Sequence, residues 1–334
     1  MDFALRPVCK ESSLEADGAA PVGDRLAALA WRALHPSTRG PFRGPRTDAR
    51  WVGRWQAPDG AGTLLAVRSP RGGLPLVVLP TPGLGVRGFL RVGEDGRSLA
   101  DRLAASGFDV YLPAMRANAP SPTWEPWHDV RAVLDEVARH DVRAPWLVGH
   151  GFAGWWAVAE AARGATPCAG VALLGTPAAA PTMPLSTRVG LRALATWGRP
   201  VPTPHLTRLW AVADGRPDGA AWRALLTEDA EPVPSVWVAE LGRWLEHGRP
   251  CVERGRWDLG LAARAIRVPL VAVDAKRDPS VAQGGRWATW WGGPVEVLEH
   301  APNLDLASLL VDAHAGDALV GALARAATGA NLRP

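Results

Sequence analysis

Cysteine is scarce in this sequence, and its scarcity excludes two classes of protein. Cys9, Cys168 and Cys251 are odd in number and far apart, which supplies neither a disulfide framework nor a C-x-x-C pair for metal or redox chemistry. They read as buried or incidental thiols. Lysine is scarcer still, with Lys10 and Lys276 alone, so the net charge of +4 rests on arginine. The arginines are scattered among acids rather than blocked, which argues against a nucleic-acid surface. No apolar run approaches the roughly 18 residues that suggest a membrane-spanning helix, and no internal repeat is present. Residues 1–20 carry Asp2, Glu11, Glu15 and Asp17 without an apolar centre, unlike a secretory or transit segment. A cytoplasmic protein without a membrane span is the expectation. His128, His140, His205, His247 and His314 show no metal-ligand spacing, such as two histidines at i, i+4 together with a carboxylate, so neither a metal centre nor a cofactor is expected.

Tyrosine is nearly absent and phenylalanine sparse, yet there are 17 tryptophans. Trp197, Trp210, Trp222, Trp237, Trp244 and Trp257 fall in one internal segment. Two readings stay open: large rings packed in the core, or an apolar, ring-lined cleft. With 334 residues, 47% of them hydrophobic, the chain can build one large α/β domain or such a domain with an inserted cap.

The hydrophobic pattern orders the chain. After a Pro/Gly/Arg-interrupted lead-in over 1–50, with one helix expected at 22–34, residues 51–67 read as a hairpin around Ala57-Pro58-Asp59-Gly60. An apolar run at 74–79 predicts a strand buried on both faces. Then helices at 93–106, 127–139 and 154–163 alternate with strands at 108–112, 146–148 and 171–174, which implies right-handed βαβ crossovers and a parallel sheet. From 178 to about 263 the alternation stops, and short helices at 188–196, 219–226 and 236–246 are expected between proline turns. Strands at 268–273 and 295–298 and a last helix at 305–327 complete the pattern. The expected class is therefore α/β, a mostly parallel central sheet flanked by helices. Its predicted divisions are an N-terminal extension (1–50), a core in two parts (51–178 and 263–334) and a helical, Trp-rich cap between them (179–262).

One stretch carries the chemistry of the question. Trp146-Leu147-Val148 runs into Gly149-His150-Gly151-Phe152-Ala153 and a helix-compatible segment. This is the strand–elbow–helix pattern G-x-S-x-G, with small residues because the turn is tight and its centre has positive φ. Gly151 stands where the serine belongs.

With that elbow, the run Asp95-Gly96-Arg97-Ser98-Leu99-Ala100, the phrase Gly107-Phe108-Asp109-Val110-Tyr111 and the stretch from Val268-Pro269 to Asp278-Pro279, the chain over about 51–328 resembles the α/β-hydrolase superfamily, in particular its lipase- and esterase-like members. The resemblance implies a serine nucleophile, a histidine base, an orienting acid and backbone donors for the oxyanion. Gly151 falls on the nucleophile, and Asn303, in Pro302-Asn303-Leu304-Asp305-Leu306, on the histidine. A neutral amide takes up no proton near pH 7. Asp278 falls on the acid, though Asp-Pro is also turn chemistry and an acid can cap the segment that follows. The His-Gly of the oxyanion loop appears as Pro82-Gly83, leaving the Leu84 N–H as a donor. Gly83, Leu84, His150 and Phe152 are the ligand-binding candidates. His150 sits beside the missing nucleophile with its side chain expected to point away. His300, Cys168 and Ser280 read as structural rather than as replacements.

Losing one triad member lowers turnover by ~10⁴–10⁶ and further losses add little, because the members act as a unit. The chain is thus expected to be a non-catalytic homologue, a pseudohydrolase, that binds an apolar or acyl-type small molecule or a partner protein. The alternative is an esterase-, lipase- or lyase-like enzyme that activates a held water without a covalent intermediate.

Overall fold

Burial on both faces of short apolar runs decides the architecture. The strands are β1 (Arg50–Ala57), β2 (Gly60–Val67), β3 (Leu74–Leu79), β4 (Phe108–Pro113), β5 (Trp146–His150), β6 (Gly170–Leu174), β7 (Cys251–Val252), β8 (Trp257–Asp258), β9 (Leu270–Asp274) and β10 (Val295–Glu299). Alternate residues of the central strands enter two separate apolar clusters. Val77, Leu79, Leu147, Val171, Leu173 and Ala272 join one; Leu76, Val78, Val148, Ala172, Leu174 and Val271 join the other. A strand that must be apolar on both faces belongs to the covered interior of a parallel sheet.

This computed structural model describes residues 49–58, 60–70, 72–93, 95–116, 127–180, 185–196, 199–203, 231–274, 284–299, 310 and 312–329. The expected helices at 22–34 and 219–226 lie outside them, as do the start expected for the last helix and Trp197, Trp210 and Trp222. Eight strands form one sheet in the order β1-β2-β4-β3-β5-β6-β9-β10. β1 pairs antiparallel with β2, and β2 antiparallel with β4. The pairs from β4 through β3, β5, β6 and β9 to β10 are parallel, with Leu76 opposite both Val110 and Trp146. The sheet is the mostly parallel one expected, and the hairpin at its edge supplies the antiparallel pairs.

The helices are α1 (Arg87–Leu90), α2 (Leu99–Ala105), α3 (Trp127–His140), α4 (Ala153–Arg163), α5 (Leu185–Thr196), α6 (Ser235–His247), α7 (Leu259–Ala263), α8 (Gly284–Trp290) and α9 (Ala313–Ala327). Val130, Val133 and Val137 of α3 and Trp155 and Val158 of α4 cover one face of the sheet. Leu99 and Leu103 of α2 and Leu319 and Leu323 of α9 cover the other. Among the described residues no helix is long and apolar enough to cross a membrane.

Two differences from the sequence reading have local causes. The helix expected from 93 starts at Leu99, because Ser98 and Asp101 form a reciprocal capping box: the Asp101 N–H donates to Ser98 Oγ, and the Ser98 N–H to Asp101 Oδ2, both at 3.1 Å. The elements α1, β7, β8, α7 and α8 are too short to display a period. The β7–β8 turn also places Glu253 and Arg254 at φ 54° and 58°, a left-handed pair held by the buried Glu240 carboxylate, which accepts the Arg254 N–H at 2.9 Å.

Candidate functional site

Strand order fixes where a site can form. β4 lies on one side of β3 and β5 on the other, so the connections leaving β3 and β5 diverge at their carboxyl ends and open a crevice there. The loop after β3 and the elbow after β5 are its two walls.

The elbow has the geometry its glycines predict. Gly151 reverses the chain at φ 55°, a conformation that costs an L-residue roughly 1–2 kcal/mol. Its N–H donates to the Leu174 carbonyl at 2.8 Å, tying the turn to the end of β6. Helix α4 then begins at Ala153 and passes so close to the strand that a β-carbon on Gly149 would lie 2.3 Å from Gly154 Cα.

The opposite wall is Pro80-Thr81-Pro82-Gly83-Leu84. The Leu84 N–H donates to the Thr81 carbonyl at 3.0 Å, and Gly83 has φ 86°. Pro at the second position and a positive-φ glycine at the third make a type II turn. From the elbow, the Phe152 N–H donates to Thr81 Oγ1 at 3.3 Å. Thr81 therefore accepts from the backbone donors of both walls.

The segment between β6 and β9 fastens this turn. The Glu231 N–H donates to the Gly83 carbonyl at 3.1 Å, and Val201 and Val233 exchange a pair of backbone bonds at 2.7 and 2.8 Å. The Thr203 hydroxyl donates to the Glu231 carbonyl and packs where a Gly83 β-carbon would stand, 2.7 Å from that point.

Between the walls and α3 lies a pocket of about 20 Å³ lined by Thr81, Gly83, Leu84, Met115, Arg116, Asp129, Trp156 and Glu231. That volume holds about one water molecule. Asp129 is fully buried, and Arg116 grips it with two nitrogens, Nε to Oδ2 at 2.9 Å and Nη2 to Oδ1. The guanidinium also sits 5.5 Å from the Trp55 ring centre. A bidentate pair of this kind is directional and fixes where α3 meets the sheet.

Of the clustered tryptophans, Trp237 and Trp244 pack among other rings here. Phe152 stands edge-on to Trp155, Trp237 and Trp244 at 5.2, 5.5 and 5.4 Å, and Trp155 contacts the last two in the same way. Edge-to-face pairs add about 0.5–1.5 kcal/mol each to the burial of the rings. Trp155 donates its indole N–H to the Pro177 carbonyl at 2.8 Å, and Trp287 to Thr176 at 3.0 Å. The neighbouring Trp156 lines the pocket.

Of the sequence-chosen residues, Gly83 and Leu84 line the pocket. Phe152 reaches the turn through its N–H, while its ring joins the tryptophans. His150 is buried and edge-on to Phe89 at 5.5 Å, and Phe89 belongs to the other apolar cluster. Asp278, Asn303, His300 and Ser280 lie outside the described residues. At the end of β9, Asp274 accepts the Gly284 N–H where α8 begins. Sequence reasoning passed over Thr81, Arg116, Asp129 and Glu231. Only Thr81 carried a local signal, the Pro-Gly that follows it. Among the described residues no three His, Cys, Asp or Glu side chains converge on a metal position.

No family model and no curated protein matches the sequence. Solved structures do match the fold. An α/β hydrolase from Sphaerobacter thermophilus superposes with a TM-score of 0.53 at 18% identity, over 83% of this chain and 99% of its own. The enol-lactonase from Burkholderia xenovorans gives 0.53 at 17%, over 84% and 100%. A monoacylglycerol lipase from Paleococcus ferrophilus gives 0.55 at 15%, over 79% and 99%. With the sheet order, the flanking helices and the elbow, these likenesses establish that the chain has the α/β-hydrolase fold.

Proposed function

We propose that the chain is a cytoplasmic, non-catalytic protein of α/β-hydrolase fold that works by binding, with residues 179–262 as its cap. The observation that carries this reading is Gly151: the elbow keeps its positive φ and its close strand–helix approach, yet presents no side chain that can attack a carbonyl carbon. Asn303 in the position of the base points the same way. Of the two occupants the sequence left open, a partner protein fits better than an acyl chain. The pocket beside the elbow and the turn is about 20 Å³, against several hundred for ordinary ligand sites, and of the clustered tryptophans Trp237 and Trp244 are packed against Phe152 and Trp155.

The test joins two measurements on the purified chain. Hydrolysis of short and long p-nitrophenyl esters is expected to stay at the buffer rate, and native mass spectrometry is expected to show the bare chain mass. A stoichiometric acyl ligand would replace the partner with a small molecule. Turnover by the natural chain would end the non-catalytic reading.

A water-using enzyme has one observation in its favour: the water-sized pocket is lined by two carboxylates, Asp129 and Glu231. Arg116 occupies both oxygens of Asp129, so this reading assigns the base to Glu231. On that reading the natural chain turns over and Glu231→Gln abolishes it.

A further inference from the structure

We infer that Thr81 is an internal plug, its two oxygens standing in for the substrate oxygen that the amides of Phe152 and Leu84 would otherwise bind. This rests on the non-catalytic reading and adds a third lesion to it, independent of the missing nucleophile and base. An oxyanion site of this fold needs the N–H of the residue after the nucleophile position and an N–H from the loop after β3. Here those amides belong to Phe152 and Leu84. The Phe152 N–H donates to Thr81 Oγ1 at 3.3 Å, and the Leu84 N–H to the Thr81 carbonyl at 3.0 Å. An amide already bonded to a fixed internal acceptor must break that bond before it can serve a developing oxyanion, so the stabilisation it offers is reduced by what that bond is worth.

The plug is held, not merely present. Thr81 is 8% exposed. Pro82 fixes the turn's second φ, and Gly83 is positive at its third. The Glu231 N–H grips the Gly83 carbonyl at 3.1 Å, and the Thr203 side chain covers Gly83. Freeing the Leu84 amide therefore means unfastening the turn from the segment between β6 and β9. Loosening the Phe152 amide asks less, since its bond to Thr81 is made to a single side-chain hydroxyl. The site is closed asymmetrically, and the elbow side is the one that mutation can open.

The experiment reads the Phe152 amide directly, by hydrogen exchange followed with ¹⁵N NMR in the full-length chain, for the natural protein, Thr81→Ser and Thr81→Val. Serine keeps the acceptor and valine keeps the shape. Exchange at Phe152 should be similar in the natural and Ser proteins and at least ten-fold faster in Val, with amides in the middle of β5 unchanged as the control for folding. A second arm places Thr81→Val into a Gly151→Ser, Asn303→His background and follows p-nitrophenyl acetate. Turnover should rise at least ten-fold over the same background with Thr81 intact. Unchanged Phe152 exchange in the folded Val variant overturns the plug, as does equal, measurable turnover with and without the threonine. If neither background turns over, the exchange arm alone decides. Activity of the unaltered chain would strike the non-catalytic reading instead, and neither Thr81 comparison depends on that measurement.

Discussion

Gly154 and Thr176 meet so closely that a β-carbon on the glycine would lie 2.0 Å from the threonine hydroxyl oxygen. The contact joins the first turn of α4 to the end of β6, on the crevice side of the sheet. Alanine favours a helix over glycine by about 1 kcal/mol, so propensity alone says that Gly154→Ala should stabilise. Overpacking a tight contact costs about 1–3 kcal/mol and sometimes more, and here the added carbon meets three atoms of one side chain. Urea denaturation should show Gly154→Ala net destabilised, with part of the loss recovered in Gly154→Ala, Thr176→Ala. A stabilised single variant would mean that the elbow is loose enough to shift.

That contact marks the boundary of what the sequence could say. The central strands were legible because each must be apolar on both faces, and the elbow because a positive φ such as the 55° of Gly151 favours glycine and the approach at Gly149 leaves no room for a side chain. The pairing of Asp129 with Arg116 was not, since it links a loop to a helix and leaves no period. Thr81 shows the intermediate case. Its Pro-Gly announces the turn, but nothing local announces that its hydroxyl meets the Phe152 amide, because that amide is distant in sequence and the meeting depends on how β3 and β5 pair. The tryptophans were ambiguous because a ring for packing and a ring for a cleft are the same residue.

Asp129 and Arg116 give a strong stability prediction. The carboxylate is fully buried and the guanidinium nearly so, at 11%. Removing one partner of such a pair leaves a charge without compensation and costs about 3–5 kcal/mol, whereas replacing both by apolar groups of similar volume is far milder. Asp129→Ala should lower the unfolding free energy by that amount, and Arg116→Met, Asp129→Leu by clearly less. Equal losses would show that the pair acts through packing alone.

The thiols offer a chemical check on burial. Burial pushes Cys168 up to about 11, with the Glu160 charge adding to it; burial likewise pushes Cys251 up to about 11, with Glu240 adding. At pH 8 such a thiol is about one part in a thousand thiolate, while an unfolded cysteine with a pKa of ~8.5 is roughly a quarter ionised. Alkylation by iodoacetamide at pH 8, mapped by peptide mass spectrometry, should be at least ~100-fold slower at both sites in the native chain than in urea. Fast native labelling at Cys251 would mean that the β7–β8 hairpin opens readily.

Glu160 on α4 should make stability fall as pH rises. Its side chain is 2% exposed, and the Arg131 guanidinium stands 3.8 Å from Oε1, beyond hydrogen-bond range. Burial raises its carboxyl above the ordinary range, while Arg131 and Arg163 pull it back without cancelling the effect. The folded state thus holds this proton more tightly than the unfolded chain, whose carboxyl titrates near ~4.3. Between that value and the higher folded one, the native protein binds more protons, and its stability declines with increasing pH. Below the window both states are protonated and the effect vanishes; above it the folded protein carries the whole penalty of a poorly compensated carboxylate. Glutamine keeps the shape and removes the charge, so Glu160→Gln should raise the melting temperature at pH 7, with the advantage shrinking to nothing by about pH 4. A Gln variant that melts lower at pH 7 would show that attraction to Arg131 and Arg163 outweighs burial, and that this carboxylate holds α4 to α3 rather than straining it.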